Sequence, residues 1–119
     1  MRLEGTFYTI EELVCDAQGG RCRVLMAAEH PIYAGHFPAQ AVVPGVCTLT
    51  IIREVLAKMV GTEVAFDRIK ECKYISALLP HEGLELTLDY VWGEEQSVQC
   101  QVSAEQKSVL KLKASWRKR

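Results

Sequence analysis

The sequence predicts an α+β fold in which an antiparallel sheet wraps one long central helix. Three observations carry that expectation. The C-terminal half alternates apolar and polar residues with a period of two, the signature of strands with one wet face. One stretch, about Val46 to Val60, is apolar at helical spacing on nearly every side. Finally, 119 residues, 49% of them hydrophobic, suit one core and therefore a single domain over 1–119.

The elements follow in chain order. Phe7 to Cys15 fits a strand or a short helix. Arg21 to Ala28 reads as a strand with Cys22, Val24, Met26 and Ala28 on one face. From His30 to Val46, three prolines and two glycines fix the path of a loop and exclude regular structure. Pro44 and Gly45 open the helix, and Gly61 closes it as a left-handed cap. Only Arg53, Glu54 and Lys58 break the helix surface, and Glu54 and Lys58 are spaced as an i,i+4 ion pair. A further strand runs from about Phe66 to Ala77, ended by Pro80-His81-Glu82-Gly83.

Leu84, Leu86, Leu88, Tyr90 and Trp92 then share one face. After a turn at Gly93-Glu94-Glu95-Gln96, Val98, Cys100, Val102 and Ala104 repeat the pattern. Leu110, Leu112, Ala114 and Trp116 repeat it again after a turn near Glu105-Gln106-Lys107. A helix apolar on all sides is expected to be buried all round. A chain this short covers it poorly alone, so a homodimer is expected.

Composition excludes several classes. The formal net charge is −1, so no overall basic field calls for nucleic acid. No stretch approaches the ~18 uninterrupted apolar residues of a membrane span. Met1-Arg2-Leu3-Glu4-Gly5 lacks the apolar core of a secretory signal, and a cytoplasmic location is expected. Cysteines at 15, 22, 47, 72 and 100 are odd in number and form no C-x-x-C pair, which argues against a disulfide framework or zinc ribbon. His30, His36 and His81 make no H-x-x-x-H pair, so no metal site is expected, and no pattern calls for a cofactor.

The chemistry concentrates in the loop. His36, between Gly35 and Phe37-Pro38, has the ordinary pKa of a general base near neutral pH. Gly45 stands where backbone N–H groups at a helix start lack intrahelical partners and carry partial positive charge. Such a site holds a carbonyl oxygen that becomes negative during reaction, and glycine lets the ligand come close.

His30-Pro31 with Tyr33, Gly35-His36-Phe37-Pro38, and Pro44-Gly45-Val46 leading into an apolar helix resemble the 3-hydroxyacyl-acyl-carrier-protein dehydratases of type II fatty acid synthesis, which have the hot-dog fold. Phe66 to Tyr74 and Leu79 to Gly83 are similar at the level of pattern. The resemblance implies a dimer with acyl tunnels at the subunit interface and an acyl carrier protein as partner. His36 matches the catalytic histidine. Gly45 matches the glycine whose N–H holds the thioester carbonyl, with Phe37, Pro44 and Val46 lining the substrate. Lys111, Lys113, Arg117, Lys118 and Arg119 make a basic edge suited to an acidic carrier.

The family's helix acid falls on Thr50, whose hydroxyl does not titrate near neutral pH. Glu54 is one turn further on, ~6 Å along the axis. Three outcomes are open. His36 performs both proton transfers while Thr50 orients the hydroxyl. Glu54 replaces the acid. Or dehydration is lost, leaving a thioesterase or a non-catalytic acyl-binding partner subunit.

Overall fold

The structure, a computed structural model, describes residues 2–34 and 41–119. Among these, six strands form one antiparallel sheet in the order β1-β2-β4-β5-β6-β3. The strands are β1 (Tyr8–Cys15), β2 (Gly19–Met26), β3 (Val64–Tyr74), β4 (Glu85–Trp92), β5 (Ser97–Ala104) and β6 (Lys107–Lys118). The two helices are α1 (Pro31–Ala34) and α2 (Gly45–Val60). The opening segment, open between strand and helix in the sequence, is a strand paired with β2.

The alternation of the C-terminal half places side chains as expected. Leu86, Leu88, Tyr90, Val98, Cys100, Val102, Leu110, Leu112 and Ala114 are buried, and they form the surface on which α2 lies. Register pairs them across strands, as with Tyr90 opposite Cys100 and Cys100 opposite Leu112. The Tyr90 hydroxyl donates 2.8 Å to the carbonyl of Ile52 in the middle of α2, which ties helix to sheet through a buried polar contact. Tight turns join the meander. Glu95 and Gln96, and then Glu105 and Gln106, all have positive φ, the left-handed pair that matches the twist of a hairpin.

Several expectations are corrected. The proline-rich loop is not wholly irregular, because Pro31–Ala34 makes one helical turn. Proline costs nothing at a first helical position, and the Ile32 N–H donates 3.1 Å to His30 Nδ1, which caps that turn. The strand after the helix ends at Tyr74 rather than near Ala77, where its pairing with Leu110 of β6 stops. Lys58 pairs with Glu4 at 3.0 Å rather than with Glu54.

Nor is α2 buried all round in the single chain. Cys47, Thr48, Ile51, Ile52, Val55, Leu56 and Ala57 face the sheet. Val46, Leu49, Thr50 and Arg53 form a partly open stripe on the other side, with Val46 58% exposed. The sheet curls round one side of a helix, and the stripe lies beyond its reach. No helix among the described residues is long and apolar enough to cross a membrane.

Candidate active site

The amino end of α2 is where sequence and structure converge. Pro44 precedes the helix with extended backbone (φ −62°, ψ 140°), and its carbonyl accepts from Cys47 N–H at 2.9 Å and Thr48 N–H at 3.3 Å. The N–H groups of Gly45 and Val46 lie ahead of these first intrahelical bonds. Among the described residues no side chain caps this end, and no acidic residue stands in the first turn. The partial positive charge of the helix terminus is therefore not neutralised by its own sequence. At the other end, Gly61 adopts φ 80° and donates to Ala57, the left-handed cap that the sequence implied.

Gly45 leaves room for an aromatic ring against the helix start. A methyl placed on it would lie 2.6 Å from Cε1 and 2.8 Å from Cζ of Tyr74, whose ring rests on the glycine. Beside this contact a groove of about 270 Å³ is lined by Val43, Gly45, Thr48, Tyr74 and the segment Ile75 to Leu78. The Val43 N–H donates 2.9 Å to the Leu78 carbonyl and closes one end of its wall.

Thr50 lies on the partly open stripe, and its hydroxyl donates 2.9 Å to the Val46 carbonyl one turn back. Its proton is thus directed into the helix and its lone pairs face outward. Glu54 is 10% exposed and fully engaged. Its Oε2 accepts from Leu3 N–H at 2.8 Å, and its Oε1 from Glu4 N–H at 3.0 Å and the Tyr8 hydroxyl at 2.9 Å. Burial, with the carboxylate close behind, pushes the Tyr8 phenol far above its ordinary range. Glu54 thus fastens the N-terminal segment to α2.

Pro44 is buried beneath the helix start, and Val46 stands open beside it. His36 and Phe37 lie outside the described residues. The neighbouring His30-Pro31 and Tyr33 are built as supports. The Tyr33 hydroxyl donates 3.1 Å to the Ala27 carbonyl, and Phe7 packs edge-on against His30 at 5.1 Å between centroids. Two groups at the site, Thr48 and Tyr74, escape a reading by motif. The available signals were a hydroxyl breaking an apolar helix face, and a tyrosine at the strand end opposite Leu110.

No cluster of metal-ligating side chains occurs among the described residues. Buried thiols are inert by environment: burial, then the Glu4 charge, raises Cys22 to about 11, and burial raises Cys47.

A six-stranded antiparallel sheet curled round one central helix defines the hot-dog class. Within that class a family model for ApeI dehydratases matches residues 14–113, and the chain belongs to that family. Among solved structures it is similar to a protein of Xenorhabdus doucetiae described as the dehydratase heterocomplex ApeI:P. The TM-score is 0.76 and the identity 19%, covering 90% of this chain and 95% of that one. It is also similar to an uncharacterised protein of Erwinia carotovora subsp. atroseptica, with TM-score 0.71, 18% identity and coverage of 92% and 93%. The CurK dehydratase, in an inactive mutant form, gives TM-score 0.60 and 16% identity, and 92% of this chain covers 42% of that one. At such identities the likeness shows the fold. No curated protein matches the sequence. The membership shown is that of a hot-dog dehydratase family, coarser than the fatty-acid-synthesis enzymes that the loop resembles.

Proposed function

We propose that this chain dehydrates 3-hydroxyacyl thioesters carried on an acyl carrier protein, giving trans-2-enoyl thioesters and water, as a cytoplasmic, dimer-based enzyme. The observation that carries this reading is the uncapped amino end of α2, close in sequence to the Gly35-His36-Phe37-Pro38 motif, in a member of a dehydratase family. His36 removes a C2 proton. The Gly45 N–H takes the charge that develops on the thioester oxygen. The C3–O bond then breaks, and the protonated His36 returns its proton to the departing hydroxyl. Phe37, Pro44 and Val46 border the acyl group. Thr50, its own proton engaged with Val46, accepts a hydrogen bond from the 3-hydroxyl and orients it. Glu54 keeps its place in the N-terminal clasp and takes no part. No step needs a cofactor.

Two features support a dimer. The open stripe of α2 offers Val46, Leu49, Thr50 and Arg53 to a second subunit. β3 is an edge strand of 11 residues with an exposed Ile69, a long edge that pairing would cover. The basic edge suits an acidic carrier even though Lys113 pairs with Glu71 at 3.5 Å and Arg117 approaches Asp67 at 4.0 Å.

A second reading rests on the threonine in the acid position: a subunit that completes its site with an acid-bearing hot-dog partner. The neighbour described as a heterocomplex is consistent with it. Separate incubation with 3-hydroxyacyl and saturated acyl carrier thioesters decides. Enoyl product from the chain alone, lost in His36→Ala, is expected. Free thiol from the saturated substrate would make it a thioesterase. Enoyl product only after an acid-bearing partner is added would establish the second reading.

A further inference from the structure

The groove beside Gly45 contains two hydroxyls that the motif does not explain. Thr48 is 3% exposed and lines the groove, yet its hydroxyl makes no hydrogen bond among the described residues. Buried polar groups without a protein partner are normally satisfied by a guest, either water or a ligand. It also does not count among fully enclosed unsatisfied atoms, so it reaches accessible space. The groove therefore has a polar floor that an entering oxygen would complete.

Tyr74 forms the rim. Its hydroxyl oxygen lies 3.0 Å from the position of a Gly45 methyl. That methyl position is about 2.5 Å from the Gly45 nitrogen by standard backbone geometry. The hydroxyl and the Gly45 N–H are therefore no more than about 5.5 Å apart. One acceptor oxygen about 2.9 Å from each of two donors bridges separations up to ~5.8 Å. Tyr74 is 57% exposed, so the ring can turn to meet a ligand. Burial, then the neighbouring Cys72, raises its pKa, which keeps the phenol protonated as a donor.

We propose that the Tyr74 hydroxyl is a second donor to the thioester carbonyl oxygen, acting beside the Gly45 N–H in a two-donor site at the head of α2. The assignment rests on the thioester reading given above. It makes Tyr74 a residue that touches substrate, and it adds a side-chain donor to a site otherwise made of backbone. A second donor strengthens as charge builds on the oxygen, so it acts on turnover as well as on binding. It also selects for an acyl group with an accepting carbonyl at C1.

The test uses S-hexanoyl-pantetheine with an isotope-labelled carbonyl, which has no 3-hydroxyl to lose, so its signal does not depend on dehydration. Infrared spectroscopy on the wild-type chain should show the bound carbonyl stretch below its value in water. Tyr74→Phe should shift it back up and weaken binding roughly three- to tenfold, as expected for one hydrogen bond. Its circular dichroism and melting temperature should stay those of the wild type. With 3-hydroxyhexanoyl-pantetheine, the variant should lower kcat without moving the pH profile. An unchanged carbonyl stretch and affinity in Tyr74→Phe would overturn the proposal, as would a wild-type chain that does not bind the probe. A wild-type chain that binds with a lowered carbonyl stretch but forms no enoyl product would sink the dehydration reading and leave the Tyr74 assignment standing.

Discussion

The two ends of α2 are furnished in opposite ways. At the carboxyl half, Glu54 collects two backbone N–H groups and a tyrosine hydroxyl, Lys58 reaches Glu4, and Gly61 caps the last turn. Those polar groups have partners within the chain. At the amino end no side chain caps the helix, and a buried threonine hydroxyl is unpartnered among the described residues. Glycine there keeps the backbone bare beside an exposed tyrosine. Stability is concentrated where the helix is clasped, and the proposed binding site lies where it is not.

Substitutions can break this contrast. The largest effect is expected from Glu54→Ala. It leaves two N–H groups and the Tyr8 hydroxyl without their acceptor in a partly buried place, and should cost about 3 kcal/mol. Denaturant unfolding measures this, while turnover per folded molecule should hold. A loss of turnover without loss of stability would move Glu54 into the mechanism.

Thr50→Glu comes next. Supplying the absent acid should raise dehydration by up to about a hundredfold in an enoyl-absorbance assay, with stability little changed on a partly open stripe. Gly45→Ala sharpens the comparison further. The added methyl displaces the Tyr74 ring, so acyl thioester affinity should fall about tenfold, or about 1.4 kcal/mol. The melting temperature should change little, because alanine's better helix propensity offsets the crowding.

The smallest effect concerns thiols. At mildly alkaline pH an alkylating reagent should label exposed Cys15 first. Buried Cys22, held up at about 11, and buried Cys47 and Cys100 should resist until the protein unfolds. Mass spectrometry of digests gives the order.

Much of the fold was legible because it depends on local periodicity. Alternation alone placed Leu86, Leu88, Val98, Val102, Leu110 and Leu112 on the inner face, and Pro44, Gly45 and Gly61 marked the ends of the helix. What was not legible depends on distance in the chain. Glu54 meets donors about fifty residues away, whereas spacing rules offer it only Lys58. An apolar residue on every side of α2 cannot say which stripe the sheet leaves open, and that stripe holds Val46 and Thr50. At the proposed site, the motif singled out Gly45 and Thr50. It could not show that Tyr74 lies on Gly45, since β3 and the helix start meet only in the folded chain.

The direct test of the open end is to titrate the isotope-labelled chain with S-hexanoyl-pantetheine and follow each backbone amide by nuclear magnetic resonance. The account predicts the largest shifts at Gly45 and Val46, with Thr48 and Tyr74 following, and none at Leu3, Glu4 or Glu54. Shifts centred on the Glu54 clasp, with Gly45 and Val46 unmoved, would contradict it.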